Sequence, residues 1–184
     1  MNARQSRTAV SIMLALSILL AGCAAGVKRA EDAEKRRAYF AGGGKLASEV
    51  TMSMDKQAQA QLPQNTGFDQ QTLLSTVKRF LRTKGLLANT PNPELPTIEI
   101  VITDIRVRTS FSAIMFGAMA GDDHIIGDVI ARDKSGRELQ RFQVSASYAL
   151  GGVAGGHGTR MGWLYGKFAE AMVNELTGQE SGQQ

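Results

Sequence analysis

The only cysteine of this chain, Cys23, is the feature that most constrains its fold. It follows an apolar stretch over residues 9–20, which contains no charged residue and lies behind Arg4 and Arg7. The stretch is too short for an ordinary transmembrane helix, which takes about 20 apolar residues. Because there is no second cysteine, no disulfide can form within the chain, and packing alone must stabilise the fold.

The residues around Cys23 are typical of a bacterial lipoprotein signal peptide. Such a segment has a basic start, a short apolar core and small residues before its cleavage site. Here Leu20-Ala21-Gly22 precede the cysteine. We therefore predict that residues 1–22 are removed and that Cys23 carries acyl chains. An ordinary cleaved signal peptide and an uncut membrane anchor are the alternatives.

Lipidation of Cys23 predicts where the protein is located. Each buried methylene contributes about 0.8 kcal/mol, and two or more acyl chains anchor a protein stably in a bilayer. We expect a lipid-anchored protein on a periplasm-facing membrane of the bacterial cell envelope. Ala24 follows the cysteine, where an aspartate would favour retention in the inner membrane of enterobacteria. The outer membrane is therefore favoured over the inner one.

Charge and length restrict the classes of function. The chain has 21 Lys and Arg residues against 17 Asp and Glu residues. Loss of two arginines with residues 1–22 leaves 19 against 17, a net charge of +2, so no basic nucleic-acid-binding domain is indicated. The domain boundaries that we predict are a lipidated N-terminus and tether over residues 23–44, one domain over residues 45–177, and a disordered tail over residues 178–184.

Hydrophobic periodicity predicts an α+β fold. The predicted elements are a strand over residues 46–55, a loop over 56–64, a helix over 68–84, a strand over 97–109 with an irregularity near 103–104, a hairpin of strands over 125–133 and 137–148, and a helix over 160–176. The order βαβββα fits a two-layer domain, with two amphipathic helices on one face of a four-stranded, mostly antiparallel sheet.

The sequence contains no strong signal for a catalytic or metal site. His124 follows Asp122 and Asp123, but three consecutive side chains at the start of a strand rarely converge on one ion, so a polar turn is the preferred interpretation. His157 lies among glycines and is interpreted as a mobile loop residue. The glycine-rich residues 151–158 precede a helix but lack the Lys-Ser/Thr pair of a P-loop. We expect no catalytic residue, no metal and no cofactor.

Residues 111–120 form the most unusual stretch, because they are apolar, contain two methionines and lie between two predicted strands. Exposed apolar patches mark interaction surfaces, and methionine-rich ones adapt to partners. Packing of this stretch onto the core is the alternative. The candidate contact residues are Phe111, Ile114, Met115, Phe116 and Met119.

The hairpin over residues 125–148, the glycine-rich connection and the closing helix resemble the bacterial domain-of-unknown-function 4410 family. The resemblance covers residues 46–176 and implies an envelope lipoprotein with a role in binding or assembly. The layout also resembles the small α+β domain of periplasmic lipoproteins related to the curli-secretion and Tol accessory proteins. Neither resemblance carries a catalytic residue. The expected function is a protein-binding accessory or assembly factor of the envelope. A small-ligand or lipid-binding module is the alternative, and a periplasmic hydrolase is a remote one.

Overall fold

The computed structural model of the protein describes residues 23–29, 39–42, 44–109, 121–149 and 156–179. These residues form an α+β domain, which confirms the predicted fold class. The strands are β1 (Cys23–Arg29), β2 (Glu49–Met54), β3 (Thr97–Arg106), β4 (Asp123–Arg132) and β5 (Glu138–Tyr148). The helices are α1 (Lys56–Gln61), α2 (Gln70–Thr83) and α3 (His157–Thr177), and Leu62–Gln64 form a short 3-10 turn.

The five strands form one mixed sheet in the order β1-β5-β4-β3-β2. All neighbouring strands are antiparallel except β2 and β3, which are parallel. The prediction of four strands and two helices in the order βαβββα is therefore wrong. Strands β2 and β3 run in the same direction because α1 and α2 lie between them in the chain, and a parallel pair requires such a crossover connection.

Strand β1 lies within residues 23–44, where the sequence suggested a tether. It pairs with β5 over its whole length, with Cys23 opposite Tyr148. Its small and charged residues show no alternating apolar pattern, so periodicity could not reveal it. A Cβ atom on Gly26 would lie 3.3 Å from the Ser145 hydroxyl oxygen, which indicates how closely β1 approaches β5. Backbone pairing with β5 thus makes this segment part of the sheet.

Helix α1 begins in the polar stretch that the sequence analysis interpreted as a loop. The Asp55 carboxylate caps it by accepting a hydrogen bond from the Ala58 N–H at 2.8 Å. Lys, Gln and Ala favour helices, and Pro63 lies in the first turn of the 3-10 segment, where its missing N–H is not needed. Only Ala58 of this helix is buried, so it has no apolar stripe.

The predicted irregularity in β3 and the predicted hairpin are both confirmed. The β3–β4 register shifts between Ile102 and Asp104. In the hairpin turn the Asp133 carboxylate accepts a hydrogen bond from the Ser135 N–H at 2.9 Å. Gly136 adopts a φ of 81°, a conformation that favours glycine.

Helices α2 and α3 pack against each other and against one face of the sheet. Alternate residues of the central strands meet the apolar stripes of both helices in one core. Its fully buried members include Ile98, Ile100, Ile102, Ile125, Val129, Val144, Leu73, Val77, Leu81, Leu164, Phe168 and Met172. Within the described ranges, none of the helices has the length and apolar character that spanning a membrane requires.

Candidate functional site

Three buried charged side chains, those of Arg108, Asp123 and Arg160, lie at one end of the sheet, where β1 and β4 begin and β3 and β5 end. The strand registers place Cys23 opposite Tyr148, and Tyr148 opposite Asp123. At the same end, His124 lies opposite Arg106. We refer to this part of the domain as the Cys23 end.

Strand alternation sends Asp122, Asp123 and His124 into different surroundings. Asp123 points into the core and is fully buried, whereas the side chains of Asp122 and His124 are 36% and 23% exposed. The three side chains therefore do not meet at one point. Among the described residues, no group of three His, Cys, Asp or Glu side chains is placed to hold a metal ion.

Asp123 lies between two buried arginines. Its carboxylate accepts the backbone N–H of Arg108 at 2.6 Å and lies 3.2 Å from Arg108 Nη2. Arg160 Nε lies 3.6 Å from the same carboxylate. The side chains of Arg108 and Arg160 are only 3% and 2% exposed. Two positively charged guanidinium groups thus share this carboxylate away from water, where the loss of its negative charge is costly.

The two arginines also bind backbone carbonyl groups and connect four elements. Arg108 donates to the carbonyl oxygens of Gly121 and Tyr148, the latter at 3.0 Å. Arg160, in the first turn of α3, donates to the carbonyl oxygen of Arg108 at 2.9 Å. Within the described part of the chain, Arg160 Nε makes no hydrogen bond. We refer to Asp123, Arg108 and Arg160 as the Asp123 cluster. We interpret it as a clamp that joins the end of β3 to β4, β5 and α3.

A polar cleft of about 510 Å³ runs along the outer edge of β3. Strand β2 ends opposite Ile102, so no strand among the described residues pairs with the last residues of β3 on this side. Side-chain amides replace it. The Ile105 N–H donates to Gln61 Oε1 at 2.9 Å, and the Val107 N–H donates to Asn65 Oδ1 at 2.5 Å. These residues line the cleft together with Gln64, Asp104, Arg106, Arg108 and His124.

His124 faces this cleft with a carboxylate on each side of its ring. Nε2 lies 3.0 Å from Asp104 Oδ2, and Nδ1 lies 3.4 Å from Asp122 Oδ1. A histidine that acts as a general base needs one ring nitrogen within reach of the proton that it abstracts. Because both nitrogens face carboxylates here, His124 is placed to bridge Asp104 and Asp122 rather than to accept a proton from a substrate.

We expect the stabilising effect of Asp104 to depend on pH. Partial burial raises the pKa of Asp104, but hydrogen bonds donated by Gln61 (2.6 Å) and His124 outweigh burial and lower the pKa below its ordinary value. A carboxyl group with a depressed pKa in the folded state stabilises the fold above its unfolded pKa of about 3.9. That contribution is lost as the pH falls through the folded pKa.

Asp104→Asn should therefore destabilise the protein near neutral pH and much less at about pH 3. Urea unfolding of the wild type and the variant at both pH values measures this difference. Asp128→Asn, on β4, is a control for the loss of a carboxylate elsewhere on the sheet. A destabilisation by Asp104→Asn that is equal at both pH values would contradict the expectation.

Some of the candidate residues predicted from the sequence lie within the described part of the chain and others lie outside it. Cys23 is the first residue of β1. The candidate contact residues Phe111, Ile114, Met115, Phe116 and Met119 lie outside the described residues. His157 is the first residue of α3 and not a loop residue.

Sequence reasoning missed Arg108 and Arg160 and did not assign Asp123 to a buried cluster. Arg108 follows β3, Asp123 begins β4 and Arg160 lies in α3, so the three residues are far apart in the chain and no spacing rule connects them. The one available signal was the alternation of β4, which turns Asp123 to the same face as Ile125. That signal predicts burial but does not identify the partners.

Comparison with known proteins matches this chain to a family of domains of unknown function. A family model described as a domain of unknown function (DUF4410) matches residues 45–152. One similar solved structure is the PelC dodecamer from Paraburkholderia phytofirmans, at 12% identity and a TM-score of 0.43, covering 80% of this chain and 97% of that chain. A point variant of PelC gives 13% identity, a TM-score of 0.40, and coverage of 81% and 97%. A search of curated proteins finds no match.

Proposed function

We propose that this chain, which belongs to the DUF4410 family of domains of unknown function, is a lipid-anchored envelope protein that binds a protein partner at a periplasm-facing membrane surface. The proposal rests on the agreement between the predicted cleavage site and the start of the first strand. The cleavage-site pattern Leu20-Ala21-Gly22 ends at Cys23, and Cys23 is also the first residue of β1. Cleavage before Cys23 leaves all five strands intact and puts the acyl chains at the start of the sheet.

A binding role is favoured over catalysis by how the polar groups of the cleft are used. His124 bridges two carboxylates. The amide oxygens of Gln61 and Asn65 accept backbone N–H groups of β3. These groups support the fold, which leaves them poorly placed to act on a substrate.

We assign the partner contact to residues 111–120, with Phe111, Ile114, Met115, Phe116 and Met119 as its apolar side chains. The two residues that flank the undescribed stretch, Thr109 and Gly121, both belong to the Cys23 end. Arg108 holds them together, since it precedes Thr109 and donates a hydrogen bond to the carbonyl oxygen of Gly121. Thr109 and Gly121 thus both lie beside the proposed anchor. Outer-membrane placement remains part of the proposal and rests on Ala24.

A small-ligand or lipid-binding module is the second candidate function. The polar cleft of about 510 Å³ beside β3 favours it, because its volume falls within the range of small-molecule sites. Crosslinking in intact cells followed by co-purification should capture a protein partner if the first proposal holds. Lipid or another small molecule extracted from the purified acyl-free domain would favour the second.

The test of anchoring is the Cys23→Ser variant. We expect it to leave the membrane fraction or to accumulate with residues 1–22 still attached, because serine offers no thiol for acylation. Cell fractionation and the intact mass of the purified protein measure both outcomes. Ala24→Ser changes the neighbouring residue and should keep both the acyl chains and the membrane association. Retention of Cys23→Ser in the membrane with an unchanged mass would refute the proposal.

A further inference from the structure

Strand β1 leaves no spacer between Cys23 and the folded domain. Its register with β5 starts at Cys23 itself, opposite Tyr148. The far end of β1 is fixed as well, because Arg29 donates to both carboxylate oxygens of Glu175 at 2.6 and 2.9 Å. A flexible linker would let a domain take any orientation at the membrane surface. An anchor on Cys23 instead keeps the start of β1, and the sheet end paired with it, at the membrane surface.

The register also identifies which residues share the anchored end and which lie opposite. Asp123 and Tyr148 lie beside Cys23, and the first turn of α3 is held there through Arg160. The hairpin turn at residues 133–136 lies at the other end of β4. Since β4 has 10 residues and a strand rises about 3.3 Å per residue, the turn is roughly 30 Å away.

An aromatic pair lies close to the anchored end. The ring centroids of Tyr148 and Trp163 are 5.3 Å apart, and Trp163 is the only tryptophan of the chain. Tyrosine and tryptophan favour the interface between a membrane and water, where their rings are partly buried and their polar groups are hydrated. Tyr148 is buried, whereas Trp163 is partly exposed, which suits a side chain close to lipid headgroups.

We infer that the Cys23 end rests on the headgroups of the bilayer and that the hairpin turn at residues 133–136 points away from it. The inference rests on the proposed lipidation of Cys23 and adds the surface that meets the membrane. It also brings Thr109 and Gly121 close to the bilayer surface.

Site-specific labels test the orientation in the full, lipidated protein. Because the native cysteine is acylated, an introduced cysteine is the single free thiol. Thr159→Cys places a fluorophore on the first turn of α3, and Ser135→Cys places it on the hairpin turn; both positions are exposed. The labelled proteins are reconstituted in vesicles of phosphatidylethanolamine and phosphatidylglycerol that contain lipids with a nitroxide on the headgroup.

We expect the nitroxide lipids to quench the label at position 159 several-fold more strongly than the label at position 135. The native fluorescence of Trp163 gives a second measurement that needs no substitution, and it should also be quenched. In the Cys23→Ser form, neither label should be quenched, which controls for contact by collision. Protein that floats with the vesicles but shows equal quenching at both positions overturns the orientation alone. Protein that does not float overturns the proposed anchoring and the orientation with it.

Discussion

Asp123→Asn should lower the free energy of unfolding by about 3–5 kcal/mol, because it removes the one carboxylate between two buried guanidinium groups. Asparagine keeps the shape of the side chain and one oxygen for the Arg108 N–H. The decrease in unfolding free energy therefore measures the effect of removing the negative charge. The side chains of Arg108 and Arg160 are almost fully buried and would lose the negative charge that they share. We expect the ends of β3 and β5 and the start of α3 to unfold first.

Two further variants serve as comparisons for Asp123→Asn. Asp122→Asn removes the neighbouring, partly exposed carboxylate and should cost less than about 1 kcal/mol, as surface pairs do. Arg160→Met should also cost less than Asp123→Asn, since Arg108 keeps its carboxylate and a buried Nε that makes no hydrogen bond with the described residues is removed. Urea unfolding of the three variants in the Cys23→Ser form provides the comparison. Equal effects of Asp122→Asn and Asp123→Asn would show that the Asp123 cluster is not a clamp.

Polar replacement of Met115 and Phe116 by serine should abolish association with the partner while the domain stays folded. The reason is that residues 111–120 offer the largest apolar stretch of the chain after residues 9–20, in a position between two strands. Pull-down from envelope extract measures the association. Leu62→Ser is a matched control, because Leu62 is an exposed large apolar residue on the 3-10 turn and should not affect binding.

Stability measurements on the same segment separate a contact surface from a core element. If the segment is a surface, Ile114→Ala and Phe116→Ala should change the free energy of unfolding by less than about 0.5 kcal/mol. If it packs in the core, each should cost about 2–5 kcal/mol. Variants that unfold the domain, or that leave every association intact, would argue for the core alternative.

The sequence determined those elements whose signal is local. The apolar stripe of α2 stops before Lys84 and Gly85, and the hairpin turn has its carboxylate and its glycine three residues apart, so pattern and turn chemistry sufficed for both. The bulge near Asp104 was visible as a change of apolar face within one strand. The α+β class and the family follow from the same local signals, because each of these elements buries a face that can be recognised from its own residues.

Only the tertiary structure decided what depends on residues far apart in the chain. Strand β1 has no apolar face of its own and becomes a strand because the backbone of β5 offers it hydrogen-bonding partners. The parallel pairing of β2 depends on where α1 and α2 return the chain to the sheet. The Asp123 cluster assembles charges from β3, β4 and α3, which lie together only after the sheet and the helix have packed. Backbone pairing and buried electrostatics leave no periodic mark on a sequence, and that is why they emerge only from the folded chain.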